Sequence, residues 1–83
     1  MEKTEMARID ENPEWLAAYR DAMAKDAAFG EAVVKQFGKK NAGTMRYVAS
    51  AYNAEVSELA EIKWRADNRL CEISERMRKA LAA

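Results

Sequence analysis

The fold is decided by residues 44–83, TMRYVASAYNAEVSELAEIKWRADNRLCEISERMRKALAA, which contain neither Gly nor Pro in 40 positions. Apolar side chains recur along this stretch in alternating steps of three and four, the spacing of a coiled-coil-like helix face. The pattern predicts one continuous helix over 44–81. Such a helix rises about 57 Å, which is longer than a small domain is wide. Something besides this helix must therefore cover its apolar stripe.

A first helix is predicted over 13–37. Asn12 is suited to cap its start, Pro13 is favoured in a first helical turn, and Gly38 is suited to end it. The apolar stripe between these signals is interrupted by polar residues around Asp26, which allows a kink or a break there. The residues before it, 1–11, are predicted as a short helix or an irregular segment.

The two predicted helices are joined by a basic loop over 38–43, which holds two glycines and two lysines, and Thr44 is suited to cap the second helix. A loop centred near position 41 folds the chain into an antiparallel hairpin in which paired residue numbers sum to about 82. The prediction is therefore a single all-α domain of 83 residues, a small coiled-coil-like helical bundle with one long C-terminal helix.

In that register the first helix ends before it can cover the far end of the second. Beyond about residue 66 the apolar stripe needs another cover, and a second copy of the chain would supply it. We therefore predict a homodimer or partner interface at the C-terminal end. The residues assigned to it are Leu70, Ile73, Met77 and Leu81.

Composition excludes several classes of function. The chain has 14 basic and 14 acidic residues, no His, and Cys71 as its only cysteine. Histidine-based nucleophile systems, His or Cys metal sites and a disulfide framework are thereby absent, so we expect no enzyme activity, no cofactor and no metal. No apolar run reaches the length of a membrane span, and the first residues do not resemble a signal peptide, so a cytoplasmic protein without a membrane partner is expected.

A nucleic-acid-binding role is disfavoured but kept as an alternative. Residues 45–64 partly match a helix-turn-helix, yet the recognition helix after Asn53 would present Glu55, Glu58 and Glu61, which phosphates repel. One basic cluster is suited to meet a nucleic acid or an acidic protein. It consists of Lys35, Lys39, Lys40 and Arg46.

Residues 60–73, AEIKWRADNRLCEI, resemble a helical segment that recurs in small phage and prophage proteins. Its general form is Ala-Glu-Ile, two variable residues, Arg-Ala, two variable residues, and Arg-Leu-Gly-Glu. Cys71 stands here where Gly is usual, and Trp64 is bulkier than the common aliphatic residue. The resemblance implies a mobile-element protein in a bacterial host cytoplasm, and it carries over no catalytic or ligand residue.

Small non-enzymatic proteins of that origin often act by occupying a surface on a host protein, as anti-CRISPR proteins do. The leading hypothesis is therefore a phage-type protein-binding inhibitor of a bacterial host system, with a DNA-binding regulator and a structural dimerisation module as alternatives. Trp, Tyr and Arg contribute most often at interfaces, whereas core packing is the alternative role for a Trp on this helix. The candidate anchors are Tyr47, Trp64, Arg65 and Arg69.

Overall fold

The computed structural model describes Ile9 and residues 11–82, in which the chain forms three α-helices and no β-strand. The helices are α1 (Pro13–Phe37), α2 (Lys39–Met45) and α3 (Ala54–Ala82), and a 3₁₀ turn, Ala49–Ala51, precedes α3. α1 and α3 pack side by side in antiparallel directions, and α2 packs on α1 at the turn. The molecule measures 45 × 20 × 18 Å. The predicted all-α hairpin is confirmed.

The start and the end of α1 follow the local signals in the sequence. The side-chain oxygen of Asn12 accepts hydrogen bonds from the backbone N–H groups of Glu14 (2.9 Å) and Trp15 (3.2 Å), as a helix cap does. Gly38 ends the helix with a φ of 85°, a conformation that side chains disfavour. Between these ends α1 runs without a break past Asp26. Apart from Ile9 and Glu11, whose backbones are helical, the segment 1–11 lies largely outside the described residues.

The reversal of the chain differs from the prediction. The predicted basic loop, 38–43, is wrong, because the residues after Gly38 form α2, and Thr44 lies inside that helix rather than at a cap. The predicted continuous helix over 44–81 is also wrong. It is interrupted at 46–53, where two turn residues and the 3₁₀ turn redirect the chain before α3 begins.

Polar side chains impose this interruption. Gln36 Nε2 donates a 2.8 Å hydrogen bond to the carbonyl oxygen of Ala51, and Gln36 Oε1 accepts one of 2.8 Å from the Asn53 N–H. Asn53 in turn caps α3, since its Oδ1 accepts a 2.8 Å bond from the Val56 N–H. A stretch without Gly or Pro is free to be helical but is not obliged to be, because capping side chains compete with the helix for backbone groups.

The register of the hairpin is shifted by about one heptad from the predicted one. Residue numbers in contact across α1 and α3 sum to 89 or 90 instead of 82, as in the pairs Trp15 with Ser74 and Lys35 with Glu55. The cause is the position of the reversal, which is centred near residue 45. A shift of seven residues is two turns, so the same stripe of each helix faces the other in both registers.

The shifted register changes what covers the C-terminal end of α3. α1 now extends to the level of residue 76, so Ile73 is buried by its own chain and is only 5% exposed. Leu70, Met77 and Leu81 are partly buried, and Ile9 lies in a groove with the last two. The premise of the predicted C-terminal interface, that α1 ends too early to cover these residues, is therefore wrong for Leu70 and Ile73, whereas Met77 and Leu81 lie beyond the start of α1.

The core is concentrated at the turn end of the hairpin. Val33 of α1 and Val56 of α3 are the largest side chains in the described residues that are fully buried. Phe29 and Ala32 complete this cluster, which is covered at its rim by partly buried residues of all three helices and of the turn. The rim residues are Phe37, Ala42, Tyr52, Leu59 and Ala60.

Candidate functional site

The largest exposed side chains cluster on one side of the hairpin. Tyr47, in the turn after α2, is 80% exposed, and Trp64 of α3 is 64% exposed. Met23 and Tyr19 of α1 are 53% and 40% exposed. We call these four residues the aromatic face. Large apolar side chains that are this exposed and this close together are typical of binding surfaces.

Tyr47 and Trp64 belong to a small groove at the turn end of the molecule, with a volume of about 200 Å³. The guanidinium of Arg46 lies 5.6 Å from the ring centre of Tyr47 and 5.5 Å from that of Phe29, within the range of a cation–π contact. We call it the turn-end groove. Its lining residues are Phe29, Arg46, Tyr47, Tyr52, Ala60, Lys63 and Trp64.

An ion cluster adjoins the turn-end groove, two of whose lining residues, Arg46 and Lys63, belong to it. Asp26 accepts a 3.1 Å hydrogen bond from Arg46 and lies 3.6 Å from the ammonium of Lys63. Lys63 donates a 2.6 Å hydrogen bond to Asp67, and this bond raises the pKa of Lys63 above its ordinary value of 10.5. The four charges join α1, the turn and α3, and they neutralise one another within the chain.

A second, larger groove of about 440 Å³ lies at the open end of the hairpin. Trp15 stacks on Tyr19 with ring centres 5.1 Å apart, and the Trp15 indole N–H donates a 2.9 Å hydrogen bond to the Ser74 hydroxyl. The exposed thiol of Cys71 lies on its rim. We call it the open-end groove. Its lining residues are Trp15, Tyr19, Leu70, Cys71, Ser74, Glu75 and Arg78.

Both grooves lie on the same side of the α1 and α3 pair. Trp64 and Cys71 are seven residues apart on α3, and Tyr19 and Met23 are four apart on α1, so each pair occupies one helix face. The contact of Asp26 with Lys63 joins the two helices at the edge of the turn-end groove. In the register of the hairpin Met23 lies at the level of residue 66 and Tyr19 at the level of residue 70, so the aromatic face covers the middle of the α1 and α3 pair.

A third groove, of about 450 Å³, separates α1 from α2. Its walls come mainly from small or aliphatic residues, and the two glycines in it, Gly30 and Gly43, have no side chain to fill the space. Glu31 and Arg46 are the charged residues of its lining. The groove is apolar and offers no arrangement of nucleophile and base.

The predicted anchors do not share one surface. Trp64 and Tyr47 lie together in the turn-end groove, and the exposure of Trp64 excludes the core position that was its alternative. Arg65 is bound to Glu61 at 2.5 Å, with both side chains exposed. Arg69 is five residues from Trp64, about 140° around the helix, so it points away from the aromatic face.

The predicted basic cluster is divided by the fold. Lys35 lies 3.4 Å from Glu55, whereas Arg46 is bound to Asp26. Asp26 and Lys35 are nine residues apart and so lie on opposite sides of α1. Only the exposed Lys39 and Lys40 of α2 are left side by side.

The predicted helix-turn-helix over 45–64 is not formed. Its first helix would need residues 46–53, which are turn and 3₁₀ backbone instead. The second helix of such a motif would be the start of α3, but α3 continues for 29 residues and packs on α1.

Tyr19 and Met23 belong to the site although the sequence analysis names neither of them as a site residue. The buried positions on this part of α1 are Ala18 and Ala22 instead. Each Ala directly precedes, in sequence, one of the residues it displaces from the core. Alanine is as compatible with a core as with a surface. The buried face of α1 is therefore displaced by one residue, to Ala18 and Ala22, and nothing in the sequence indicates the displacement.

In the described part of the chain, no three His, Cys, Asp or Glu side chains are grouped closely enough to hold a metal ion. Across residues 11–82, no helix combines the length and the apolar character that crossing a bilayer requires. No known protein family, curated protein or solved structure matches this chain.

Proposed function

We propose that the chain is a non-enzymatic protein-binding protein whose turn-end groove occupies a surface of another protein, with Tyr47 as its anchor. The observation that carries this proposal is the position of Tyr47, which is 80% exposed although Arg46 stacks on its ring. A tyrosine held in this way presents a large contact area and loses little conformational freedom on binding. Trp64 forms the neighbouring wall of the groove.

A protein fits this surface better than a nucleic acid does. Arg46 and Lys63, the two cations of the groove, already have Asp26 and Asp67 as partners, so phosphates would have to compete with carboxylates for them. The chain has a net charge of zero, which gives no long-range attraction to a polyanion. The proposal therefore ranks a DNA-binding regulator below a protein-binding role.

The class of target comes from the resemblance of residues 60–73 to a segment of phage and prophage proteins. It supports a phage-type inhibitor that acts in the bacterial cytoplasm on a host system, with an anti-CRISPR protein as the specific form we propose. A rigid scaffold with an exposed anchor and no active site is sufficient for such a role, because blocking a surface needs no chemistry.

Capture from a nuclease-treated bacterial lysate tests the protein-binding role. We expect the immobilised full-length chain to retain one host protein in a stoichiometric amount. The Tyr47→Ala variant should lose about 30-fold in affinity, the effect of removing an anchor worth about 2 kcal/mol. The control is Arg65→Ala, which removes an exposed side chain outside the groove and should leave capture unchanged. A parallel capture uses lysate without nuclease treatment. If the chain retains nucleic acid from that lysate, and no protein from either lysate, the proposal is contradicted.

A plaque assay tests the specific form of the proposal. The chain is expressed in a bacterium whose CRISPR system targets an infecting phage. We expect plaques to return with the wild-type chain and with Arg65→Ala, and not with Tyr47→Ala at equal expression. If the wild-type chain leaves immunity intact against each CRISPR type tested while it still captures a host protein, the anti-CRISPR form is wrong and the inhibitor targets another system.

A further inference from the structure

We propose that the third groove, which separates α1 from α2, receives a large apolar side chain of the protein bound at the turn-end groove, and that a lysine or arginine beside that side chain pairs with Glu31. We call it the α1–α2 groove; it lies between residues 30–34 of α1 and 42–46 of α2. The proposal rests on the proposed function, which supplies the partner. It adds a second contact and the chemistry of the segment that makes it.

Two glycines inside helices have no explanation within the chain. Gly30 lies in α1 and Gly43 in α2, and glycine is less stable inside a helix than alanine because it loses more backbone freedom on folding. Gly38 has a positive φ, but Gly30 and Gly43 do not. A Cβ atom added at either position would meet no atom within 4 Å. Among the described residues, neither backbone conformation nor close packing therefore requires a glycine at 30 or 43.

Gly30 and Gly43 share one environment, because both line the α1–α2 groove. The volume of this groove, about 450 Å³, falls within the roughly 300–1,000 Å³ of ligand-binding clefts. Val34 and Ala42 contribute apolar walls, and a side chain at either glycine would occupy part of the space between them. The two glycines thus keep open an apolar groove that the chain itself does not fill, and exposed apolar surface of this kind is typical of a binding site.

The position and shape of the groove indicate its occupant. Arg46 lines both the α1–α2 groove and the turn-end groove, so the two adjoin, and a protein seated on Tyr47 lies beside both. The walls are open to water, since Gly43 is exposed and Val34 is 37% exposed, whereas small-molecule sites enclose most of their ligand. A second copy in a two-fold dimer would set groove against groove and leave the space empty. A side chain that projects from the bound protein fits best.

Charge indicates the residue that accompanies this side chain. Glu31 and Arg46 are the charged residues of the lining, and Arg46 is already bound to Asp26. Lys35, one turn along α1 from Glu31, lies 3.4 Å from Glu55 instead. In the described part of the chain, no cation forms an ion pair with Glu31. The expected partner segment therefore carries a lysine or arginine next to its large apolar residue.

Thermal unfolding tests whether the chain itself needs the glycines. Gly30→Ala and Gly43→Ala should each raise the melting temperature by about 2–5 °C, because alanine favours a helix and the added methyl group meets open space. A lower melting temperature in either variant would show that the glycine has a role within the fold, and would overturn the proposal.

The affinity for the captured host protein tests the groove. Gly43→Leu fills the space and should lower the affinity at least about 10-fold, whereas Thr44→Leu places the same side chain at the next position of α2, outside the lining, and should bind like the wild type. Glu31→Lys should also lower the affinity about 10-fold, and Glu58→Lys, the same charge change on α3, should not. All four positions are exposed, so circular dichroism should show each variant folded.

The outcomes separate this proposal from the proposed function. If Tyr47→Ala weakens binding while Gly43→Leu and Glu31→Lys bind like the wild type, the partner uses the turn-end groove alone and the present proposal is wrong. If Gly43→Leu and Glu31→Lys weaken binding and Tyr47→Ala does not, the α1–α2 groove is confirmed and Tyr47 is not the anchor. A chain that binds no protein overturns both.

Two further measurements identify a different occupant. If the sedimentation mass falls from two chains in the wild type to one in Gly43→Leu, the groove holds a second copy. If native mass spectrometry finds a small molecule on the wild-type chain that Gly43→Leu lacks, the groove is a small-molecule site. Either result would overturn the proposal, which expects the same mass for the two chains apart from the substitution.

Discussion

The two ends of the hairpin are held together by different means. At the turn end, Phe29, Val33 and Val56 form a buried cluster with side chains from all three helices around it. At the open end the buried residues of α1 are only Ala18 and Ala22, and the polar contacts lie near the surface. Alanine lets the helices approach closely, but each one buries little apolar area.

The contrast between the two ends shows that the large buried side chains and the exposed aromatic face use different residues of α1. Free energy of burial scales with the apolar area removed from water, so α1 gains more of it through Phe29 and Val33 at the turn end than through Ala18 and Ala22 at the open end. The open end is the part of α1 and α3 that we expect to open first in local unfolding, because α1 contributes only alanines to its core beside Ile9 and Ile73. The aromatic face lies between the two ends, and its Tyr19 and Met23 lie beside the buried alanines of α1.

The largest expected effect contrasts one core residue from each end. Phe29→Ala removes a ring from the turn-end cluster and should lower the free energy of unfolding by about 3–5 kcal/mol, a large part of the stability of a chain this small. Ile73→Ala should cost only about 2 kcal/mol, because the open end has fewer large neighbours and is freer to collapse onto the space. Urea unfolding followed by circular dichroism measures both. A larger loss for Ile73→Ala would show that the open end is the main core.

An intermediate effect contrasts the polar contacts of the two ends. Gln36→Ala leaves the Ala51 carbonyl and the Asn53 N–H without their partner and should cost about 1–3 kcal/mol. Ser74→Ala removes one partly buried bond to Trp15 and should cost about 0.5–1.5 kcal/mol. The variant Gln36→Glu keeps an acceptor for Asn53 and loses the donor, so its loss should fall between wild type and Gln36→Ala. If Gln36→Ala and Ser74→Ala lower the free energy of unfolding equally, the polar contacts of the two ends are equivalent and the contrast between the ends is wrong in this respect.

The smallest effect concerns the ion cluster between the two ends. Because a hydrogen bond to Asp67 raises the pKa of Lys63 in the folded chain, folding favours the protonated amine. Its contribution is complete below pH 10.5 and is lost as the pH rises through the folded-state pKa. We expect the difference in thermal stability between wild type and Lys63→Met, well under about 1 kcal/mol at neutral pH, to shrink in strongly alkaline solution. A difference that is constant across that range would show that the ammonium contributes nothing by its charge.

Local chemistry made some of the fold predictable. Asn12, Pro13 and Gly38 bound α1 because caps and terminators act through neighbouring backbone groups, and these need no tertiary contact. The interruption before α3 depends on Gln36, which is far from it in sequence, so no local window contains the signal. The predicted basic loop, 38–43, is wrong for the same reason, because α2 is stabilised by its packing on α1, a contact that no local stretch of sequence contains.

The candidate site was predictable only in part. Tyr47 and Trp64 were named because their residue types are common anchors, and the fold brings them into one groove. Arg69 was named on the same grounds, yet its position on α3 points it away from the aromatic face. Met23 and Tyr19 were missed because, in a chain with alanines at so many positions, several helix faces are equally acceptable as the buried one.

The one-heptad shift has a consequence for how such a chain evolves. Substitutions among aliphatic residues along the stripe do little to choose between neighbouring registers, since a displacement of seven residues leaves the same stripe of each helix at the interface. The register of α1 against α3 is determined by a few polar residues, above all Gln36 and Asn53, and by the number of residues between the two long helices. Descendants that gain or lose a heptad in the turn could therefore slide the whole hairpin to a new pairing, and so present a different aromatic face, without rebuilding a core.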